Sequence, residues 1–149
     1  MTDYLSALRG YLMAQAGVTN LFLDDSGAVK IPEIYVLGIP SDEAWVKAMP
    51  FKCVVLVPVG GGPNPGLGFT SRANVEAVCY GESDFEAYRL ERAVSEALKT
   101  LSREVIGGVL LHNATLSGGP IQARDPETLW PAMRRQFTLR ADEREIGIS

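Results

Sequence analysis

SRANVEAVCYGESDFEAYRL, Ser71 to Leu90, changes its periodicity at Gly81. Before the glycine the period is two: Ala73, Val75, Ala77 and Cys79 fall on one side, and Arg72, Asn74 and Glu76 on the other. Successive side chains of a strand point to opposite faces, so this stretch predicts a strand with one apolar and one polar face. After Gly81 the period lengthens to that of a helix. Ser83 and Glu86 stand three apart as a capping box, in which each side chain takes up a backbone N–H that the first turn leaves unpaired. Glu82 and Asp84 add negative charge at the positive end of the helix dipole. Phe85, Tyr88, Leu90, Val94, Ala97, Leu98 and Leu101 make the predicted apolar face. Glu86, Arg89, Glu91, Arg92, Glu96 and Lys99 make the outer one.

Upstream, Phe51 to Val59 is valine-rich and apolar on both faces, which predicts a strand buried on both sides for part of its length. Pro58 lacks a donor for the ladder and marks an edge or a strand end. The glycine–proline run GGGPNPGLGFT, 60–70, joins the two strands as a loop, so Phe51 to Tyr80 reads as a wide antiparallel hairpin. Downstream, a Gly107-Gly108 turn leads into a strand from Val109 to Leu116. Gly118-Gly119-Pro120 then turns the chain, and Ile121 to Arg124 extends it. After a turn at Asp125-Pro126-Glu127-Thr128, the last strand runs from Ala132 to Ala141. Met133, Phe137 and Leu139 face inward there, and Arg134, Gln136, Thr138 and Arg140 face solvent.

At the other end, Leu5, Leu8 and Leu12, widened by Tyr4 and Tyr11, predict a helix from Thr2 to Ala16. Thr2 or Asp3 can cap it, and Gly17 suits the left-handed residue past its end. Gly10 inside the helix costs ~1 kcal/mol against alanine and marks a close packing contact. Residues 18–50 are an arm of short pieces: a turn at Asp24-Asp25-Ser26-Gly27, a short strand from Ile34 to Leu37, and a helical turn opened by Pro40 that carries Trp45. Five acids (Asp24, Asp25, Glu33, Asp42, Glu43) face two lysines in it, and it is either a surface loop or a contact arm. Residues 142–149 are a charged tail. The sum is one α+β domain over 1–149, with about four mainly antiparallel strands, two main helices packed on one face, and a short strand/helical arm.

Composition narrows the function classes. The chain has 149 residues, 46% of them hydrophobic and 21% charged, which is ordinary for a globular domain and too short for two comfortable cores. A net charge of −4 gives no basic footprint for sequence-specific nucleic-acid binding. No stretch nears the roughly 18 apolar residues of a membrane span, and the N-terminus lacks the pattern of a secretory signal, so a soluble intracellular domain is expected. Cys53 and Cys79 read as reduced core residues.

The chemical motifs fare poorly. The 60–68 glycine loop lacks the lysine and hydroxyl residue of a phosphate-binding loop, because Phe69 and Thr70 follow Gly68. His112, the one histidine, has no nucleophile elbow to serve, and one histidine with two distant cysteines lacks metal-ligand spacing. No catalytic residue, metal or cofactor is expected. Arg134, Arg135 and Arg140, with Arg124 and Arg144 nearby, are the one cationic cluster. They form either a salt-bridged surface or a seam that meets a neighbour's acids. Trp45 and Trp130 are either interface anchors or pins of their loops.

The order of these motifs resembles a known family. R-x-N-V-x-A-x-x-Y-G (Arg72 to Gly81) runs into S-D-F-E-A-Y-R-L (Ser83 to Leu90). Later come S-G-G-P (Ser117 to Pro120), R-D-P-E-T-x-W-P (Arg124 to Pro131) and R-R-Q-F-T-L-R (Arg134 to Arg140). Nearly the whole chain is similar to the tail terminator, or tail completion, proteins of lambda-like siphophages, most of all those of actinobacterial phages. The resemblance implies a non-enzymatic virion protein, assembled in the host cytoplasm, that forms a hexameric ring at the head-proximal end of the tail. The ring would end tube polymerisation and offer a surface to the head. Its partners would be further copies of itself, the tail tube protein and a head–tail connector protein. The family's contact regions correspond by position to 21–50 and 60–70, which hold Trp45, Asn64, Leu67 and Phe69; with Arg124, Arg134 and Arg140 of the cationic cluster and Trp130 these are the expected interface residues. Two alternatives are a head-completion or connector-adaptor protein of the neck, and a small ligand-binding domain using the Gly60–Gly68 loop.

Overall fold

The computed structural model describes residues 4–19, 34–36, 53–63, 70–124 and 130–142, with side chains left out for 60–63 and 70–71. The elements are α1 (Tyr4–Met13), α2 (Ala16–Thr19), β1 (Ile34–Val36), β2 (Cys53–Pro63), β3 (Thr70–Tyr80), α3 (Asp84–Lys99), β4 (Glu104–Ile106), β5 (Val109–Arg124) and β6 (Pro131–Asp142). All six strands form one sheet in the order β1-β2-β3-β6-β5-β4. β1 runs parallel to β2, and every other neighbouring pair is antiparallel. The molecule is α+β, but the expected sheet of about four antiparallel strands is corrected to six strands in a mixed sheet.

Three local causes account for the difference. The glycine-rich run does not leave the sheet at residue 60: after a register shift between Pro58 and Gly60, pairing resumes from Gly60 with Asn74 to Pro63 with Ser71. Gly118-Gly119-Pro120 does not turn the chain either. It is absorbed as an irregularity between Ser117 and Ile121, with Gly118 at φ +68, and β5 continues beyond it to pair Arg124 with Pro131. The Gly107-Gly108 turn, with both residues at positive φ, closes a tight hairpin that adds the three-residue β4.

Two hairpins, β2–β3 and β5–β6, therefore meet along an unbroken antiparallel ladder from Tyr80 opposite Ala132 to Thr70 opposite Asp142. Strand alternation gives the sheet two different faces. On the first, Val54, Leu56, Val75, Ala77, Leu111, Phe137 and Leu139 are buried under Leu5, Leu8 and Leu12 of α1 and Leu90, Val94 and Leu98 of α3. Phe137 is the largest fully buried side chain of this core. The Tyr11 hydroxyl ties the helices together: it donates to the Ala97 carbonyl at 2.9 Å and shares a bond of 2.9 Å with the Thr100 hydroxyl. The second face carries a smaller apolar cluster of Val55, Val78 and Ala132, with Tyr35, Val57 and Tyr80 packed against it.

The helices depart from expectation at several points. The first breaks after Met13 and restarts as α2, so Gly17 lies inside a helix and does not end one. A Cβ on Gly10 would stand 3.1 Å from Ile106, which is the close contact its presence suggested. Ser83 caps α3 by accepting from the Glu86 N–H at 3.2 Å, but Glu86 reaches past the cap to accept from the Glu82 N–H at 3.0 Å. Gly81 is required at the junction, because a Cβ there would lie 2.5 Å from the Ala87 nitrogen. The faces of α3 are also shifted: Phe85 is 67% exposed, Tyr88 is exposed, and Glu91 is only 3% exposed.

Candidate interaction surface

The two cysteines and the histidine are held within the fold. Cys79 lies on the helix-covered face and Cys53, by alternation, on the other. Both are free thiols, and burial pushes Cys53 up to about 12. Burial, then the negative charge of Glu91, then Cys53 itself push Cys79 well above its ordinary value. Both sulfurs hold their protons at neutral pH and are poor nucleophiles and ligands. His112 sits at the register shift between Leu111 and Asn113. Its Nε2 lies 3.1 Å from Asp142 Oδ1, and its carbonyl accepts from the Arg103 N–H at 3.0 Å. It links β5 to Asp142 at the end of β6 and to Arg103 just before β4. No group of three His, Cys, Asp or Glu side chains among the described residues is placed to hold a metal ion.

The expected interface residues divide into two sets. Trp45, Asn64, Leu67 and Phe69 lie outside the described residues. Arg124 Nη2 bonds Asp84 Oδ2 at 3.1 Å and joins the end of β5 to the start of α3. Trp130 is half-buried and meets the Tyr80 ring edge-on, with centroids 6.0 Å apart, so it pins the entry to β6. Arg134 and Arg140 both project from the second face, as the alternation of β6 predicts, but into different surroundings.

Along that face, β3 and β6 place Val78 opposite Arg134, Glu76 opposite Gln136, Asn74 opposite Thr138 and Arg72 opposite Arg140. Arg134 Nε approaches Glu76 Oε1 at 3.1 Å, and Gln136 Nε2 donates to Glu76 Oε2 at 3.3 Å. Next to them the Thr138 hydroxyl donates to Asn74 Oδ1 at 3.0 Å. Beyond these pairs two arginines face each other, and the last pair on this face is Thr70 opposite Asp142. Arg72 is exposed and Arg140 partly buried. Arg140 Nε is closed to solvent without a hydrogen-bond partner.

Arg135 points to the helix-covered face, where its Nη1 lies 3.5 Å from Glu91 Oε1, and the Ser95 hydroxyl donates to the same oxygen at 2.6 Å. The signal for it is an arginine at the inward position between Met133 and Phe137, which demands an acid from whatever packs there.

No model of a known protein family matches this chain, and no curated protein does. Its fold does match that of a solved chain in the virion of a native gene transfer agent particle. The TM-score is 0.64 over 94% of this chain and 95% of that one, at 17% identity. At that identity the likeness is one of fold.

Proposed function

We propose that the protein is a structural component of a phage-like virion, acting as a tail terminator: a ring that caps the head-proximal end of the tail tube and presents a joining surface to the head. The observation that carries this reading is the fold match to a virion chain over nearly the full length of both proteins, with little sequence left unaligned on either side. The order of turn and strand-edge motifs from Arg72 to Arg140 supports it independently. The mechanism is physical. One face of a ring complements the last layer of tube subunits and the other does not, so the stack ends there.

The test is to polymerise the tail tube protein with and without this chain and to measure tube lengths by electron microscopy. Capping shortens tubes and places density at one end only. Light scattering of the same mixture should show a species near six times 16.1 kDa. Tubes of unchanged length, with binding to portal-bearing heads instead, would move the protein to the head side of the joint.

A further inference from the structure

Resting on that ring reading, we infer that Arg72 and Arg140 form a carboxylate-binding site for a second copy of this chain, and that the acids between Asp24 and Glu43 of the neighbour fill it.

Like charges directly opposite one another on antiparallel strands repel, and an arginine cannot relieve the repulsion by losing its proton. Arg72 and Arg140 nevertheless face each other across the central ladder, two positions before its last pair. The other ladder and hairpin arginines are neutralised inside the chain: Arg124 by Asp84, Arg134 by Glu76 and Arg135 by Glu91. Among the described residues no acid plays this part for Arg72 or Arg140. Arg135 also has a buried Nε without a partner, but its Nη1 reaches Glu91; Arg140 has no such relief.

Among the described residues the ladder neighbours on either side of the arginines are uncharged. The β2 residue opposite Arg72 is Gly62, and the β5 residue opposite Arg140 is Asn113. Asn74 and Thr138, one step along the face, are bonded to each other, and Asp142 is engaged by His112. Two planar guanidinium forks, whose acidic neighbour on the same strand is engaged by His112, suit carboxylates, which accept two parallel N–H bonds from each.

Charge complementarity selects the occupant. The chain carries Asp24, Asp25, Glu33, Asp42 and Glu43 against Lys30 and Lys47 in one segment, and its net charge is −4. A contact that joins the two arginines of one copy to the acidic segment of the next can repeat head to tail. That is the contact type that closes into a ring.

The experiment is light scattering on the full chain, with and without tail tube subunits, at low and at high salt. Four forms are compared: wild type, R72E/R140E, a segment variant (D24K/D25K/D42K/E43K), and a chain carrying both sets. Each single set should reduce the wild-type oligomer to 16.1 kDa, and the combined chain should regain the oligomer, as should an equal mixture of the two single-set proteins. R72Q/R140Q, which adds no new charge, should weaken the oligomer without abolishing folding as read by circular dichroism. An oligomer that survives R72E/R140E overturns the site while leaving tube capping standing. Loss in both single sets without recovery in the combined chain overturns the acidic segment as occupant. A short DNA duplex retained by wild type and lost from R72E/R140E, at unchanged mass, would replace the second copy with a phosphate ligand. A wild-type chain that stays monomeric even with tube subunits, and leaves tube length unchanged, defeats both the site and the capping reading.

Discussion

Arg135 and Arg140 leave the same strand on opposite faces of one sheet, and the two faces treat them differently. Under α1 and α3, Arg135 is met by a carboxylate from the helix above it, and that carboxylate is held in turn by Ser95. On the other face, Arg140 is met by another arginine. A charge enclosed by the chain's own core must be neutralised there, because desolvation without a partner costs several kcal/mol. A charge on the second face carries no such requirement while water or a neighbour can reach it. The comparison teaches where this molecule is self-sufficient and where it is incomplete.

The comparison can be broken most severely from the core side. Phe137→Ala empties the centre of the helix-covered face, and about 4 kcal/mol of stability should be lost. Chemical denaturation reads it directly, and a loss below ~1.5 kcal/mol would mean that this face collapses around the gap. Glu91→Ala should cost about 3 kcal/mol, because it strands the Arg135 charge beneath α3. Replacing both partners, as Glu91→Leu with Arg135→Met, should restore most of that loss. If the double variant is no more stable than the single one, the pair acts through something other than mutual neutralisation. The smallest effect is expected on the second face. Arg140→Gln should change the stability of the isolated chain by no more than about 0.5 kcal/mol, with a small gain allowed by relief of the opposed charges. A loss above ~1.5 kcal/mol would show that Arg140 already serves this chain's own fold.

The sequence carried the centre of the fold well and its margins poorly. The switch of period at Gly81, the Ser83 cap and the alternation of β6 are local signals, and each element stands where its signal placed it. β1 and β4 have three residues each, too few to show a period, and the parallel pairing of β1 has no local signature at all. β5 looked like two pieces because a bulge uses the same glycines as a turn. On α3, Ala87, Glu91 and Ser95 form a single inward stripe at four-residue spacing. Two of its three members are polar, so a search for apolar residues passed over it and chose Phe85 and Tyr88. The outward direction of Arg134 and Arg140 was legible from alternation alone. Which of them faced an acid and which another arginine depended on β3 lying beside β6, a pairing no local pattern encodes.

That central ladder also sets the order in which the chain can assemble. Asn74 and Thr138 bond across it although they are sixty-four residues apart in sequence. The β2–β3 and β5–β6 hairpins need only short closures, whereas joining them means ordering α3 and everything else between them first. As a folding hypothesis, the two hairpins are formed by the time the folding barrier is crossed and their union is completed after it. Substitutions at the hairpin ladders would then slow folding, and those along the β3–β6 ladder would speed unfolding with little change in the folding rate. Stopped-flow measurements on Thr138→Ala distinguish the two, and a slowed folding limb would reverse the order. Until that union is made, each half exposes an unpaired strand edge, and the same backbone that joins the halves of one molecule is free to join halves of two.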